Sequence, residues 1–179
     1  MSALQLASRN MNFIKQLEER TRWADAKSAA DFLTRDYSSP PIPVTDIVKL
    51  CDVKLAVESF GDQESDAEIS GFCDFQSGVI YANADETFKR QRFTIAHELG
   101  HWILHKSFFI ENPEKYPVLM RRAELNIKDH KEQEANHFAA NLLVPDRLIK
   151  PIKNLHYLDL ASLFDVSPSM MQFRLMNVA

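Results

Sequence analysis

Two periods organise the hydrophobic positions of this chain, a helical one at both ends and an alternating one between them. Residues 1–34 are rich in Ala, Leu, Gln, Glu, Lys and Arg and contain no Gly or Pro. That stretch predicts one long helix or two shorter ones breaking near Thr21. Ser38-Ser39-Pro40-Pro41-Ile42-Pro43 ends it, because proline lacks a backbone donor and drives its predecessor out of the helical region. Val44–Cys51 then reads as a short helix. From Val53 the period changes: Val53, Leu55 and Val57 alternate with polar residues, as in a half-buried strand. Ile69–Phe75 and Val79–Asn83 read as two further strands around a hairpin turn at Gln76-Ser77-Gly78. The acidic stretch Gly61–Glu68 is a loop. These runs predict a small, antiparallel-rich twisted sheet.

The helical period returns at Glu86. Phe88, Arg92, Phe93, Ala96, Leu99, Ile103 and Leu104 fall on helical turns up to His105. Residues 107–129 carry Pro113 and Pro117 and read as a connector, with a short helix at Val118–Leu125. A second strong helix spans Lys131–Val144 and stops before Pro145. Short helices are expected at Asp146–Ile152, Leu158–Phe164 and Pro168–Met176. The resulting fold class is α+β, with a helical segment at 1–39 and one domain at 40–179.

Composition adds exclusions. A net charge of −4 supplies no general attraction for a phosphate backbone or an anionic membrane. Arg9, Asn10 and Asn12 interrupt any signal-peptide core, and no stretch approaches the ~18 apolar residues of a membrane span. A cytoplasmic protein is expected. Cys51 and Cys73 fit no metal-ligand spacing and read as buried thiols.

The chemistry lies in His97-Glu98-Leu99-Gly100-His101. Two histidines four apart on a helix project from one face, about 6 Å apart along the axis, so both imidazoles reach one Zn²⁺. Glu98 borders that ion without ligating it, as a carboxylate that takes the proton of a zinc-bound water and later passes it to a leaving amine. HExxH alone is a weak pattern, and satisfied histidines on an amphipathic helix are the bland alternative. Gly100 tilts the balance: it costs ~1 kcal/mol in a helix interior, and close backbone approach behind a metal site explains it. His105 continues the stripe but sits about 12 Å along the axis from His97, too far to share one ion, and reads as a partner within the helix surroundings. Leu104 and Ser107 stand where a metzincin extension would need Gly and His.

The third ligand must come from another element. On helix 131–144, Ala135, Phe138, Ala139, Leu142 and Leu143 form the buried stripe, and Glu132 points toward the packed partner. Glu134 falls farther from that stripe and reads as a solvated first-turn acid, which leaves it the weaker alternative. His137 falls on nearly the opposite face. Asn136 is placed to hydrogen-bond a ligating histidine. Tyr81, Arg92 and His130 are candidates to stabilise an oxyanion, with core or surface roles the stronger reading for each.

Pro40-Pro41-Ile42-Pro43 with its following helix, the small sheet, RQRFTIAHELGHWILH and EQEANHFAANLLVP together resemble the ImmA/IrrE-type metallopeptidases over roughly residues 40–178. The resemblance implies a zincin-like core with the metal between two helices. It implies His97, His101 and Glu132 as zinc ligands, Glu132 being the glutamate of E-x-x-A-N. It also implies cleavage of a helix-turn-helix repressor. A rival of another class is a binding module, an antirepressor or toxin–antitoxin component, that sequesters its partner without cutting. Leu160–Leu175 has the cadence of a helix-turn-helix, but its second helix offers only Gln172, Arg174 and Asn177 to a base edge. A helical hairpin packed on the core is the favoured reading, and direct DNA binding is not expected.

Overall fold

The computed structural model describes residues 23–60, 69–111 and 130–178. The expected helix break near Thr21, the acidic loop 61–68 and the short helix at Val118–Leu125 lie outside them. Helix α1 (Trp23–Thr34) and helix α2 (Val44–Leu50) come first, separated by the proline segment. Strands β1 (Lys54–Glu58), β2 (Gly71–Asp74) and β3 (Val79–Asn83) follow, then the long helix α3 (Phe88–Glu111). Helices α4 (His130–Leu143), α5 (Asp146–Ile149), α6 (Tyr157–Leu163) and α7 (Pro168–Met176) complete the described chain, with a 3₁₀ turn at Lys150–Ile152.

The sheet is mixed, which corrects the antiparallel expectation. Its order is β1-β3-β2. β2 and β3 form the antiparallel hairpin, with Gly78 at φ +68° in its turn and Asp74 Oδ1 accepting from the amides of Gln76 and Ser77. β1 runs parallel to β3, from Lys54 opposite Val79 to Glu58 opposite Asn83. Alternation identifies a strand but says nothing of its neighbour. β3 carries the buried Ile80, Ala82 and Asn83, so it takes the centre, and β1 joins its free edge rather than that of β2.

Helix α3 has apolar contacts on more than one side: β2 and β3 pack against it, as does α4, and α1 packs against α4. Ala26, Ala29, Ala30 and Leu33 of α1 belong to the same apolar cluster as Leu99, Ile103, Phe138 and Leu142. α3 runs six residues beyond His105 because Phe109 is buried there, stacked on Phe75 at 4.8 Å. Among the described residues no helix is long and apolar enough to cross a membrane.

Two buried arginines tie the C-terminal hairpin to this core. Arg92 of α3 donates from Nε to the Asp165 carbonyl (3.1 Å) and from Nη2 to the Ile42 carbonyl (2.9 Å). Arg174 of α7, only 2% exposed, donates to the Val144 carbonyl (3.0 Å), to Asn141 Oδ1 (2.9 Å) and to Asp146. Arg174 is therefore committed to the interior and leaves the set of groups that a DNA reader would present. Asp165 turns the chain between α6 and α7 at φ +58°, and Ser167 Oγ caps α7 by accepting from the Met170 amide. Cys51 and Cys73 are buried, and burial pushes the Cys51 thiol up to about 12.

Candidate metal centre

Helical spacing brings His97 and His101 to one face of α3, their ring centroids 4.7 Å apart. α4 lies against that face at the closest approach its sequence allows. A Cβ on Gly100 would sit 3.2 Å from the Ala135 Cα and 2.9 Å from Phe138 Cδ1, so only glycine lets the two backbones come this near. Ala135 supplies the matching small residue, and the long side chains flanking it reach across to α3.

Glu132 is one of them. Its Oε2 lies 3.1 Å from His97 Nε2 and its Oε1 3.2 Å from His101 Nε2, while the two Nε2 atoms are 3.0 Å apart. One ligand atom from each residue falls within 4.8 Å of the others, a group that could hold a metal ion. The surrounding bonds fit that use. Asn136 Oδ1 lies 3.0 Å from His97 Nδ1 and accepts a proton there, the arrangement in which Nε2 can turn its lone pair to an ion. Acceptors facing one another across about 3 Å repel unless positive charge, an ion or protons on the imidazoles, lies among them. Burial pushes the Glu132 carboxyl up, but hydrogen bonds and charge from His101 and His97 outweigh it and hold the group far below the usual carboxylate range.

Beside the three lies a cleft of about 1180 Å³. Glu98, which is buried, lines it together with the exposed Asn136 and the half-buried His97. Ser70 and Gly71, at the start of edge strand β2, form a second wall. Ser70 Oγ donates to Glu86 Oε1 (2.8 Å) and accepts from Arg90 Nη2 (3.0 Å), tying that strand to the first turn of α3. Phe93, Val166, Met170 and Phe173 give the far side an apolar surface.

One expectation changes. Glu134 is buried, 7% exposed, with Oε2 2.8 Å from His105 Nε2. It is no solvated first-turn acid; the close crossing at Ala135 turns both flanks of the stripe toward α3. His105, in turn, meets His101, Nδ1 to Nδ1, at 3.0 Å. The signal for this pairing was the third histidine on the stripe beside a second glutamate at i+2, legible only once the crossing is known. Of the oxyanion candidates, Arg92 is spent on two carbonyls, Tyr81 stacks on Phe72 at 4.7 Å, and His130 is exposed at the start of α4. Among the described residues none of these three lines the cleft. The apolar wall from the C-terminal hairpin was not foreseen as part of the site.

Residues 52–176 match the Peptidase_M78 model, the IrrE N-terminal-like domain. The chain belongs to that peptidase family. It is 34% identical over 92 residues to an uncharacterized immunity region protein of Bacillus phage phi105, covering 50% of this chain and 54% of that protein. It is 29% identical over 107 residues to metallopeptidase ImmA of Bacillus subtilis, 56% of each. The chain thus spans about half the length of these curated relatives. In fold it is similar to a Mycobacterium tuberculosis transcriptional regulator, with a TM-score of 0.58 and 13% identity over 94% of this chain and 51% of that one. Membership of this family carries an expectation of a metal, and the donor set of His97, His101 and Glu132 suits one.

Proposed function

We infer that the chain is a zinc-dependent endopeptidase of zincin-like design, acting on a regulatory protein such as a helix-turn-helix repressor. One observation carries this reading: three acceptor atoms, Nε2 of His97, Nε2 of His101 and a Glu132 oxygen, converge beside a buried glutamate in an open cleft. His97, His101 and Glu132 are the ligands, and Asn136 holds the His97 ring in its ligating tautomer. Zinc bound there supplies Lewis acidity, lowering the pKa of a water and polarising the scissile carbonyl. Glu98 accepts the proton of the attacking water at its carboxylate and delivers it to the leaving amine. The apolar wall of Phe93, Met170 and Phe173 receives a hydrophobic stretch of the substrate, and the Ser70–Gly71 edge lies across from it.

The family's names support the regulatory setting: one relative is an immunity region protein and another is metallopeptidase ImmA. Glu98→Gln separates an enzyme from a sequestering partner. It spares the ligands, so the variant should hold about one zinc per chain yet lose cleavage roughly a hundredfold to ten-thousandfold. Both quantities are read by elemental analysis and by mass spectrometry of a candidate helix-turn-helix repressor after incubation. A variant that still relieves repression without cutting would favour the antirepressor or toxin–antitoxin reading. A wild type that takes up no zinc after reconstitution would sink the metal assignment.

A further inference from the structure

A line of side chains leads away from the metal group into the interior. His101 Nδ1 lies 3.0 Å from His105 Nδ1, and His105 Nε2 lies 2.8 Å from Glu134 Oε2. All three residues are buried, and Phe109 stacks edge-on against the His101 ring at 5.7 Å. We propose that Glu134 and His105 are positioning residues that lock His101 in the tautomer whose Nε2 lone pair faces the metal. The proposal rests on the reading of His97, His101 and Glu132 as ligands.

The protons can be followed atom by atom. A carboxylate only accepts, so the 2.8 Å contact places a proton on His105 Nε2. In the neutral ring His105 Nδ1 is then an acceptor. Only one proton fits between two nitrogens 3.0 Å apart, and it belongs to His101, whose Nδ1–H donates. With the ion bound, His101 Nε2 is bare and faces Glu132 and His97; without it, the Glu132 oxygen 3.2 Å away draws a proton to that nitrogen. A neutral ring with its one proton on Nε2 and none on Nδ1 would turn an N–H, which cannot ligate, toward the metal. A buried carboxylate is costly without a partner, and the relay gives it one while directing its influence to a ligand about two rings away. His97 gets the same service from a single amide, Asn136, which is exposed; the buried ligand receives the longer, charged chain.

Long-range ¹H–¹⁵N NMR of the metal-free wild type reads the tautomer directly. The proposal requires a proton on His101 Nδ1, bonded to His105, and a His101 whose Nδ1 carries none overturns it whether or not zinc binds. Zinc titration against a competing chelator gives the second arm. His105→Phe keeps the ring volume but removes both nitrogens, and pairing it with Glu134→Leu removes the orphaned charge so that the fold survives. That double variant should bind zinc about 10–100-fold more weakly than wild type. Glu134→Gln, whose amide oxygen still accepts from His105, should restore affinity to roughly the wild-type level. Equal affinity in the double variant and wild type overturns the proposal. A wild type that binds no zinc fails the metal reading instead, and leaves the NMR arm to decide the relay.

Discussion

Gly100 occupies the point where α3 and α4 come closest, and its missing side chain decides how well the metal group is assembled. Alanine there would gain ~1 kcal/mol of helix propensity. Its Cβ, however, would meet the Ala135 Cα at 3.2 Å, the Ala135 carbonyl oxygen at 3.3 Å and Phe138 Cδ1 at 2.9 Å. Backbone atoms cannot rotate away as a side-chain end can, so the helices must separate. Gly100→Ala should therefore destabilise the protein by about 1–2 kcal/mol net. It should also weaken zinc binding, because Glu132 moves with α4 while His97 and His101 stay on α3. Urea denaturation and zinc titration test both; a stabilised variant would mean that the helices are not in contact at this point. The same residue explains what the sequence revealed here and what it hid. A glycine inside a strong helix announces a close approach, and helical spacing alone pairs His97 with His101. Glu134 was hidden because a helical wheel centred on the apolar stripe has no information on how near the partner axis lies. At this separation residues on both flanks of Ala135 reach α3, so Glu132 and Glu134 find different histidines.

At the scale of elements, Arg174 shows how the C-terminal hairpin is held. Its guanidinium serves the Val144 carbonyl just past the end of α4, Asn141 and Asp146, so one side chain joins α7, α4 and α5. Asp146 also faces Lys27 of α1 and Lys150, each at 3.4 Å. Arg174→Met keeps most of the volume, leaves the Val144 carbonyl and Asn141 Oδ1 without this donor in the interior and removes one cationic partner of Asp146, at a cost of about 2–4 kcal/mol near neutral pH. The pH dependence has a definite sign. Burial pushes the Asp146 carboxyl up, but the hydrogen bond and charge of Arg174, with Lys27 and Lys150, outweigh it and lower the pKa. A depressed carboxylate contributes stability above its unfolded pKa of about 3.9, and that contribution is lost as pH falls through the lower folded value. The gap between wild type and variant should thus be full at neutral pH and narrow below about pH 4. Denaturant titrations at both pH values check it, and a gap that widens in acid would exclude the assignment. From sequence, Arg174 is one of three polar groups that the last helix offers to a base edge. Its burial depends on the end of α4 meeting α7, which no local pattern encodes.

The whole molecule places its cleft between parts that sequence order keeps far apart: the start of β2, the first half of α3, the beginning of α4 and the turn into α7. Each helix was legible from its own period, and the β2–β3 hairpin from Gly78. The parallel pairing of β1 with β3 was not, since it arises only when the most buried strand takes the centre of the sheet. The apolar wall was hidden for the same reason. The sequence reads 160–175 as a hairpin packing on the core, yet Phe173 remains 48% exposed and Phe88, which lines the same cleft, 63% exposed. Large aromatic rings left half in water beside a reactive group are suited to bind a hydrophobic stretch of polypeptide. Phe173→Ser tests that use. The ring is not in the main core, so stability should change by less than about 1 kcal/mol. It offers no donor atom to the metal group, so zinc content should not change. Losing the exposed half of a phenyl ring removes about 1–1.4 kcal/mol of substrate binding, a rise in KM of roughly five- to tenfold. Because the wall binds substrate and transition state alike, kcat should hold. Kinetics on a peptide that the wild type cleaves would show this as a change in KM alone. An unchanged KM would show that substrate approaches the metal group without touching α7, from the side of Ser70 and Gly71.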